Sequence, residues 1–282
     1  MSIIEAIIFG LIQGLTEFIP ISSTAHLTLA GKLMGQIKSP EEWTAFIAVI
    51  QLGTLIAVVL YFRADIFRII GGFISANLAL IKRSRVHQEQ KRQAQLGWLI
   101  IAGTLPIAIV GLLFRHQIEG TFTKDLRVIA GSLIGLALVL IIAEIIGRQR
   151  RDMNHLKLSD AIIVGCAQVF ALIPGSSRSG TTITGGLFAG LTRETAARFS
   201  FLLSIPAIAA SGLLELPKAL RSTHTDWTAL IVATVIAAIS GYASIAFLLK
   251  YLQRHTTFVF VGYRLGLGLL LIALLATGKL LP

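Results

Sequence analysis

Six apolar stretches, each long enough or nearly long enough to cross a bilayer, constrain the fold of this chain more than any other feature. A helix needs about 20 residues to span the hydrocarbon core. Four of the stretches hold no charged residue, and the other two hold only Glu144 and Arg264. The six stretches are Trp43–Phe62, Leu96–Phe114, Val128–Ile146, Phe199–Leu214, Ala229–Leu249 and Phe258–Leu275. They predict an all-α polytopic membrane protein with six transmembrane helices.

The composition supports a membrane protein and argues against a nucleic-acid partner. Of the 282 residues, 55% are hydrophobic and only 14% are charged, whereas about a quarter of the residues of a soluble domain are charged. The formal net charge of +11 comes from short basic runs between the apolar stretches, which suit anionic lipid headgroups. The single cysteine, Cys166, excludes an internal disulfide and a thiolate metal cluster. Its apolar neighbours predict a packing role.

Two further apolar stretches, Ile3–Phe18 and Ala161–Ile173, are shorter than a span and end next to Pro20 and Pro174. A run of small hydroxyl residues follows each proline. Such stretches are typical of half-helices that enter the membrane and turn back. We therefore expect two re-entrant helical hairpins. The N-terminus lacks the basic start of a signal peptide, so we expect no cleaved leader.

The basic runs predict the orientation in the bilayer. One run lies between the first two spans, one follows the third span and one follows the fifth. If both short stretches are re-entrant, all three runs face the cytoplasm and both termini lie outside. The basic residues are Arg63, Arg68, Lys82, Arg83, Arg85, Lys91, Arg92, Arg148, Arg150, Arg151, Lys157, Lys250 and Arg254.

The chain also contains an internal repeat. Gly10 and Gln13 recur 155 positions later as Gly165 and Gln168, and the segment 18–23 recurs 154 positions later as 172–177. We expect a single integral membrane domain over residues 1–282, with repeat one at 1–147 and repeat two at 148–282. Each half has three spans, an odd number, so the repeats are predicted to be inverted and to bring the two broken elements together near the midplane.

The first broken element carries several polar side chains. Gln13 and Glu17 are four residues apart and therefore share one face of a helix. Ser22, Ser23 and Thr24 follow Pro20 and can cap a second half-helix, one turn before His26. A carboxylate inside a membrane segment is costly to bury, so function is its default interpretation.

The second broken element predicts an anion site. Its glycines allow backbone N–H groups to converge, its hydroxyls add donors, and Arg178 adds charge. The candidate ligands of this loop are Gly175, Ser176, Ser177, Arg178, Ser179, Gly180 and Thr182. Two such loops meeting tip to tip fit a phosphate group. Outside the loops, Arg264 is predicted to reach the membrane surface or to pair with Glu144 or Glu215, with a functional role as the alternative.

These motifs resemble the signatures of the bacterial undecaprenyl-diphosphate phosphatase (bacitracin-resistance) family, over the whole chain in length, span number and motif position. The motifs are Gln13-x-x-x-Glu17, Ser22-Ser23-Thr24-x-His26 and the segment from Pro174 to Thr182. The resemblance implies hydrolysis of undecaprenyl diphosphate to undecaprenyl phosphate and inorganic phosphate in the bacterial cytoplasmic membrane. That reaction recycles the lipid carrier for cell-wall synthesis and confers resistance to bacitracin. Many members have glutamate where this chain has Gln13. Of the two positions, only Glu17 is therefore ionisable here.

The resemblance and the local chemistry suggest a mechanism with open alternatives. Arg178 and the surrounding loop would neutralise charge that develops on the diphosphate. Ser23 is the first choice of nucleophile, with Glu17 or His26 taking its proton. A nucleophilic His26, or a water activated by Glu17, remains an alternative. A divalent cation, Mg²⁺ or Ca²⁺, is expected to arrive with the substrate and to bridge Glu17 and phosphate oxygens.

A second function class fits the same pattern. Inverted repeats with broken helices are typical of transporters, and a protein that moves a lipid phosphate across the bilayer needs the same anion site. Phosphate release without a membrane gradient distinguishes hydrolysis from transport. The sequence is also compatible with a homodimer.

Overall fold

The computed structural model describes residues 1–37, 39–82, 86–119, 121–221 and 226–281. Within these ranges the chain forms helices and one isolated β-bridge, between Arg151 and Leu191, but no β-strand. The α-helices in chain order are α1 (Ile3–Glu17), α2 (Ser23–Leu33), α3 (Pro40–Tyr61), α4 (Arg63–Lys82), α5 (Gln88–Leu113), α6 (Arg115–Glu119), α7 (Leu126–Ile146), α8 (Leu158–Val169), α9 (Arg178–Phe188), α10 (Arg193–Arg221), α11 (Trp227–Leu252) and α12 (Phe258–Ala276).

Six helices among the described residues are long and apolar enough to cross a membrane, and they coincide with the six predicted spans: α3, α5, α7, α10, α11 and α12. Several begin a few residues earlier than their apolar stretch because a polar residue caps the helix. Ser39 accepts a hydrogen bond from the N–H of Glu42, and Asp125 and Asp226 cap α7 and α11 in the same way. Large apolar side chains remain exposed on the outer faces, which fits a multi-pass membrane protein.

Helix α4 corrects the prediction of a plain basic loop between the first two spans. It runs along the start of α5, where Phe73 packs on Trp98. Asp65 at its N-terminal end pairs with Arg198 of α10 at 2.9 Å. Two of the basic residues assigned to that loop, Arg83 and Arg85, lie outside the described residues.

The two short hairpins, α1–α2 and α8–α9, have second helices of the same length with the same kind of N-cap. Helices α2 and α9 each have 11 residues, and their N-caps, Ser22 and Ser177, are 155 positions apart. Both caps have a positive φ, 76° and 67°, which few residues other than glycine adopt. The N-caps therefore lie 155 residues apart, whereas the loop segments that contain Pro20 and Pro174 align at 154.

Glycines set how the short helices pack. A Cβ at Gly10 would lie 2.5 Å from the carbonyl oxygen of Ala233, so α1 and α11 are nearly in backbone contact. On the other side, a Cβ at Gly165 would lie 2.9 Å from Cα of Gly103, so α8 lies equally close to α5. Each short helix thus packs on a span from the other half of the sequence, through the small-residue contacts that are typical of membrane helices.

Polar contacts gather at the two ends of the long helices. Helix α10 carries members of both groups, Arg193 near its start and Glu215 near its end. The first group joins Glu5 to Gln36, Lys32 to Leu281, Lys124 to Thr44, and Arg115 to Glu215. The second group joins Arg193 to Glu144, Arg198 to Asp65, Arg151 to Asp160, and Gln253 to Glu194. Hairpin α1–α2 shares the first end, and the segments that flank hairpin α8–α9 share the second.

One predicted packing role was wrong. Cys166 is exposed on α8 rather than buried among apolar neighbours. The apolar residues beside it in the sequence lie on a helix whose outer face is itself apolar. A small apolar side chain on that face needs no partner inside the protein if lipid is its solvent.

Candidate active site

The tips of the two hairpins meet through Glu17 and Arg178, which are 161 residues apart in the sequence. The guanidinium of Arg178 donates from Nη2 to Oε1 of Glu17. The Glu17 side chain is only 3% exposed and that of Arg178 is 15% exposed. A buried carboxylate requires a partner, and the arginine of the opposite loop provides it.

The second oxygen of Glu17 joins two other predicted site residues. Oε2 accepts a hydrogen bond from Nε2 of Gln13 at 2.9 Å and another from Oγ of Ser23 at 2.8 Å. The Gln13 contact follows from the spacing of four residues on α1, whereas the Ser23 contact requires the chain to turn back after Pro20. A hydroxyl that donates to a carboxylate is the arrangement needed to activate a nucleophile.

The second loop is built from small residues in close contact with α7 and α12. Gly175 has a φ of 87°, and a Cβ there would lie 2.6 Å from the carbonyl oxygen of Ile129. Ser177 caps α9 by accepting from the N–H of Gly180 at 3.2 Å. A larger residue at Gly175 or Gly180 would displace the loop, because a Cβ at Gly180 would lie 2.6 Å from Nη1 of Arg264.

Some of the remaining motif hydroxyls lie at the starts of α2 and α9, and others are fully buried. Ser22 caps α2, and Ser179 contacts the Ser177 hydroxyl at 3.1 Å, while Thr24 is half-buried in the first turn of α2. Thr182 is fully buried, and its hydroxyl bonds the carbonyl of Arg178 and the hydroxyl of Ser200. Ser176 is also fully buried, and its hydroxyl has no partner.

His26 lies near Glu17 in the sequence, but its ring nitrogens bond groups other than Ser23. Its Nδ1 lies 2.6 Å from the carbonyl oxygen of Ser22, and its Nε2 lies 2.7 Å from the hydroxyl of Tyr263. The imidazole stacks on the tyrosine ring with centroids 5.5 Å apart. Tyr263 belongs to α12, and an isolated tyrosine in an apolar stretch gives no sequence signal of a functional role.

Arg264 corrects another prediction. It neither reaches the surface nor pairs with an acid: it is 0% exposed, and it donates to the carbonyls of Leu133, Ser132 and Gly175 at 3.3 to 3.5 Å. Its Nη1 would meet a Cβ at Gly180, so this guanidinium lies against the second loop. Glu144 and Glu215 pair instead with Arg193 and Arg115. The sequence signal for a functional role of Arg264 is the presence of an arginine within an apolar span.

The described residues hold no cluster of three or more His, Cys, Asp or Glu side chains that could bind a metal ion. One oxygen beside Glu17 does fit a cation: the buried Oε1 of Gln13 accepts no hydrogen bond. Carboxylate and amide oxygens are the ligands that Mg²⁺ and Ca²⁺ prefer.

Comparisons with known proteins agree with this geometry. The family model described as bacitracin resistance protein BacA matches residues 6–270. A protein of Syntrophobacter fumaroxidans is 54% identical over 95% of each chain, one of Chlorobaculum tepidum is 52% identical over the whole of both chains, and one of Chloroherpeton thalassium is 51% identical over 99% of both. All three relatives are named undecaprenyl-diphosphatase. A match of this extent, to a chain whose motifs meet at one buried ion pair, means that the protein belongs to the BacA bacitracin resistance family.

Proposed function

We propose that this protein hydrolyses undecaprenyl diphosphate to undecaprenyl phosphate and inorganic phosphate. The observation that carries the proposal is the buried Glu17 carboxylate, which joins a hydroxyl nucleophile on one loop to an arginine on the other. The similar proteins named undecaprenyl-diphosphatase identify the substrate. The reaction recycles the lipid carrier of cell-wall synthesis in the bacterial inner membrane, and it lowers the supply of the diphosphate that bacitracin binds.

In the proposed mechanism Ser23 is the nucleophile and Glu17 takes its proton. The Ser23 oxygen attacks the terminal phosphorus, and undecaprenyl phosphate leaves with the electrons of the broken P–O bond. Water then hydrolyses the phosphoserine and releases inorganic phosphate. The 2.8 Å hydrogen bond from Ser23 to Glu17 supports this assignment over a nucleophilic His26, because both ring nitrogens of His26 already have partners.

Arg178 is proposed to hold the phosphate and to neutralise charge in the transition state. Ser23 and Arg178 are the first residues of α2 and α9, so both helices direct their N-termini at the centre of the site, where partial positive charge favours an anion. Further donors are proposed from the loop residues Ser22, Thr24, Gly175, Ser176, Ser177, Ser179 and Gly180. Thr182 is proposed to act indirectly, since it holds the carbonyl of Arg178.

Arg264 adds a second positive charge beside the second loop. Burial of an arginine in a membrane span is costly unless a counter-charge is present. Its hydrogen bonds go to backbone carbonyls, which leave its charge in place. The Glu17–Arg178 pair is neutral as a whole, so Arg264 is proposed to supply part of the attraction for the diphosphate.

A divalent cation, Mg²⁺ or Ca²⁺, fits the oxygens next to the nucleophile. We propose that Glu17 and the unpartnered Oε1 of Gln13 would hold it when the diphosphate is bound. When bound, the ion would neutralise phosphate charge. Gln13 would thus contribute an oxygen to the ion and an N–H to Glu17.

The two hairpins are proposed to be re-entrant elements of an inverted repeat. Three observations support this: the helix offset of 155 residues, the packing of each short helix on a span of the other half, and the contact of the hairpins with opposite ends of the long helices. The three basic runs between the spans then lie on the cytoplasmic side, and both termini lie outside. The prenyl tail of the substrate would extend along the apolar outer faces into lipid.

Thiol labelling tests this topology. In a Cys166→Ser background, we expect Asn154→Cys to react in intact cells only with a membrane-permeant reagent, and Thr277→Cys to react with an impermeant one. Both positions are exposed, the first between α7 and α8 and the second at the end of α12. Labelling of Asn154→Cys from outside would overturn the orientation, and equal labelling of both positions would overturn the odd number of spans between them.

Phosphate release tests the function itself. The purified protein in detergent, without a membrane gradient, is expected to release inorganic phosphate from undecaprenyl diphosphate, and Ser23→Ala is expected to lose nearly all of this activity. A protein that only transports the lipid would release none. Binding of undecaprenyl diphosphate without any phosphate release, in the presence of Mg²⁺ or Ca²⁺, would therefore contradict the hydrolase and favour the transporter.

A further inference from the structure

A chain of hydrogen bonds runs from α12 to the residue just before the nucleophile. The hydroxyl of Tyr263 lies 2.7 Å from Nε2 of His26, and Nδ1 of the same ring lies 2.6 Å from the carbonyl oxygen of Ser22. Ser22 directly precedes Ser23. Tyr263 and His26 are 237 residues apart in the sequence.

This geometry restricts the tautomer of the neutral ring. A carbonyl oxygen only accepts hydrogen bonds, so Nδ1 of His26 must carry a hydrogen. In the neutral ring Nε2 then has the lone pair, and it accepts the hydrogen of the Tyr263 hydroxyl. Neither nitrogen is directed at Ser23, whose hydroxyl donates to Glu17 instead.

Ser22 needs such support. Its φ of 76° places a residue with a side chain in the left-handed region, which is sparsely populated and persists only where the surroundings hold it. The Ser22 side chain caps α2, and its carbonyl accepts from both the backbone N–H and Nδ1 of His26. The direction of this carbonyl sets the peptide plane that carries Ser23, and so the direction of the Ser23 hydroxyl.

We propose that His26 and Tyr263 are positioning residues that hold the Ser22–Ser23 peptide in its strained conformation, rather than acid–base catalysts. This inference rests on the proposed hydrolase activity. Arg264, the neighbour of Tyr263, contacts the carbonyl of Gly175 in the second loop. Two successive residues of α12 therefore contact helix α2 of the first hairpin and the second loop, which places α12 where it can align the nucleophile with the phosphate site.

Substitutions of His26 distinguish the two roles. The amide nitrogen of asparagine can reach the position of Nδ1, whereas that of glutamine reaches the position of Nε2. If His26 positions Ser22, His26→Asn should keep kcat within about threefold of wild type, while His26→Gln and His26→Ala should lose about tenfold or more. If His26 transfers protons, all three variants should be equally impaired and should lose one limb of the pH–rate profile.

Tyr263→Phe completes the test. It should lower kcat by about twofold to threefold with little change in KM, the scale of one lost hydrogen bond. The double variant Tyr263→Phe, His26→Asn should match His26→Asn alone, because asparagine has no counterpart of Nε2. Tyr242→Phe is the matched control, since Tyr242 is 43% exposed on α11 and Tyr263 is 48% exposed on α12. If the losses of the two single variants added up in the double variant, Tyr263 would not act through His26, and the proposal would be contradicted.

A spectroscopic measurement separates this inference from the activity. ¹⁵N-labelled histidine should show His26 as the Nδ1–H tautomer in wild type, and Tyr263→Phe should shift the Nε2 resonance. The Nε2–H tautomer would overturn the inference even in an active enzyme. Absence of phosphate release by wild type would overturn the proposed function instead, and the tautomer would still report on the hydrogen-bond chain.

Discussion

Glu17→Gln is expected to lower turnover by at least about a hundredfold, the usual contribution of a general acid–base group. Glutamine keeps the shape of the side chain and can still accept a hydrogen bond. It removes the negative charge that pairs with Arg178 and that draws the proton from Ser23. The measurement is steady-state phosphate release at saturating undecaprenyl diphosphate, with the thermal stability of each purified variant determined alongside.

Gln13→Glu is the matched control for that variant. Gln13 lies one turn before Glu17 on the same face of α1 and contacts its carboxylate. The family resemblance admits glutamate at position 13. The Gln13→Glu variant should retain activity close to wild type, because the added carboxylate can still bind a cation through the oxygen that Oε1 now provides. A Glu17→Gln enzyme that turns over at the wild-type rate would make Glu17 a structural partner of Arg178 and remove it from the reaction.

Arg178→Lys is expected to lower kcat more than it raises KM, and Arg178→Ala is expected to abolish nearly all turnover. The planar guanidinium can bond Glu17 and a phosphate oxygen at once, whereas lysine offers a single charged group on a flexible stem. An interaction that strengthens in the transition state affects kcat, and one that is equally strong in the bound substrate affects KM. The measurement is phosphate release across a range of substrate concentrations for both variants.

A surface arginine controls for bulk charge. Arg150 is exposed between α7 and α8 and belongs to neither loop, so Arg150→Ala should behave like wild type apart from a mild, salt-sensitive change in KM. If Arg178→Lys and Arg150→Ala were both indistinguishable from wild type, Arg178 would be only a local charge. The second loop would then not be the phosphate site.

The amino-acid sequence determined the membrane class, the six spans and the identity of the two loops. Long uncharged stretches such as Ala229–Leu249 have one stable solution, a helix in lipid, because the backbone must satisfy its own hydrogen bonds there. The contact of Gln13 with Glu17 was equally local, since it follows from helical spacing. Helix α4 was missed because its charged residues, among them Arg63 and Lys82, interrupt an otherwise apolar pattern at both ends.

Only the tertiary structure decided which side chains face each other within the site. Glu17 and Arg178 meet across 161 residues, and His26 meets Tyr263 across 237. No local pattern encodes such distances. The sequence left Glu17 and His26 open as partners of Ser23. In the structure the Ser23 hydroxyl donates to Glu17, while the Ser22 carbonyl and the Tyr263 hydroxyl contact the two nitrogens of the imidazole. Arg264 lies against the second loop for the same reason: a buried cation takes the acceptors that packing brings to it, and packing joins helices that the sequence keeps far apart.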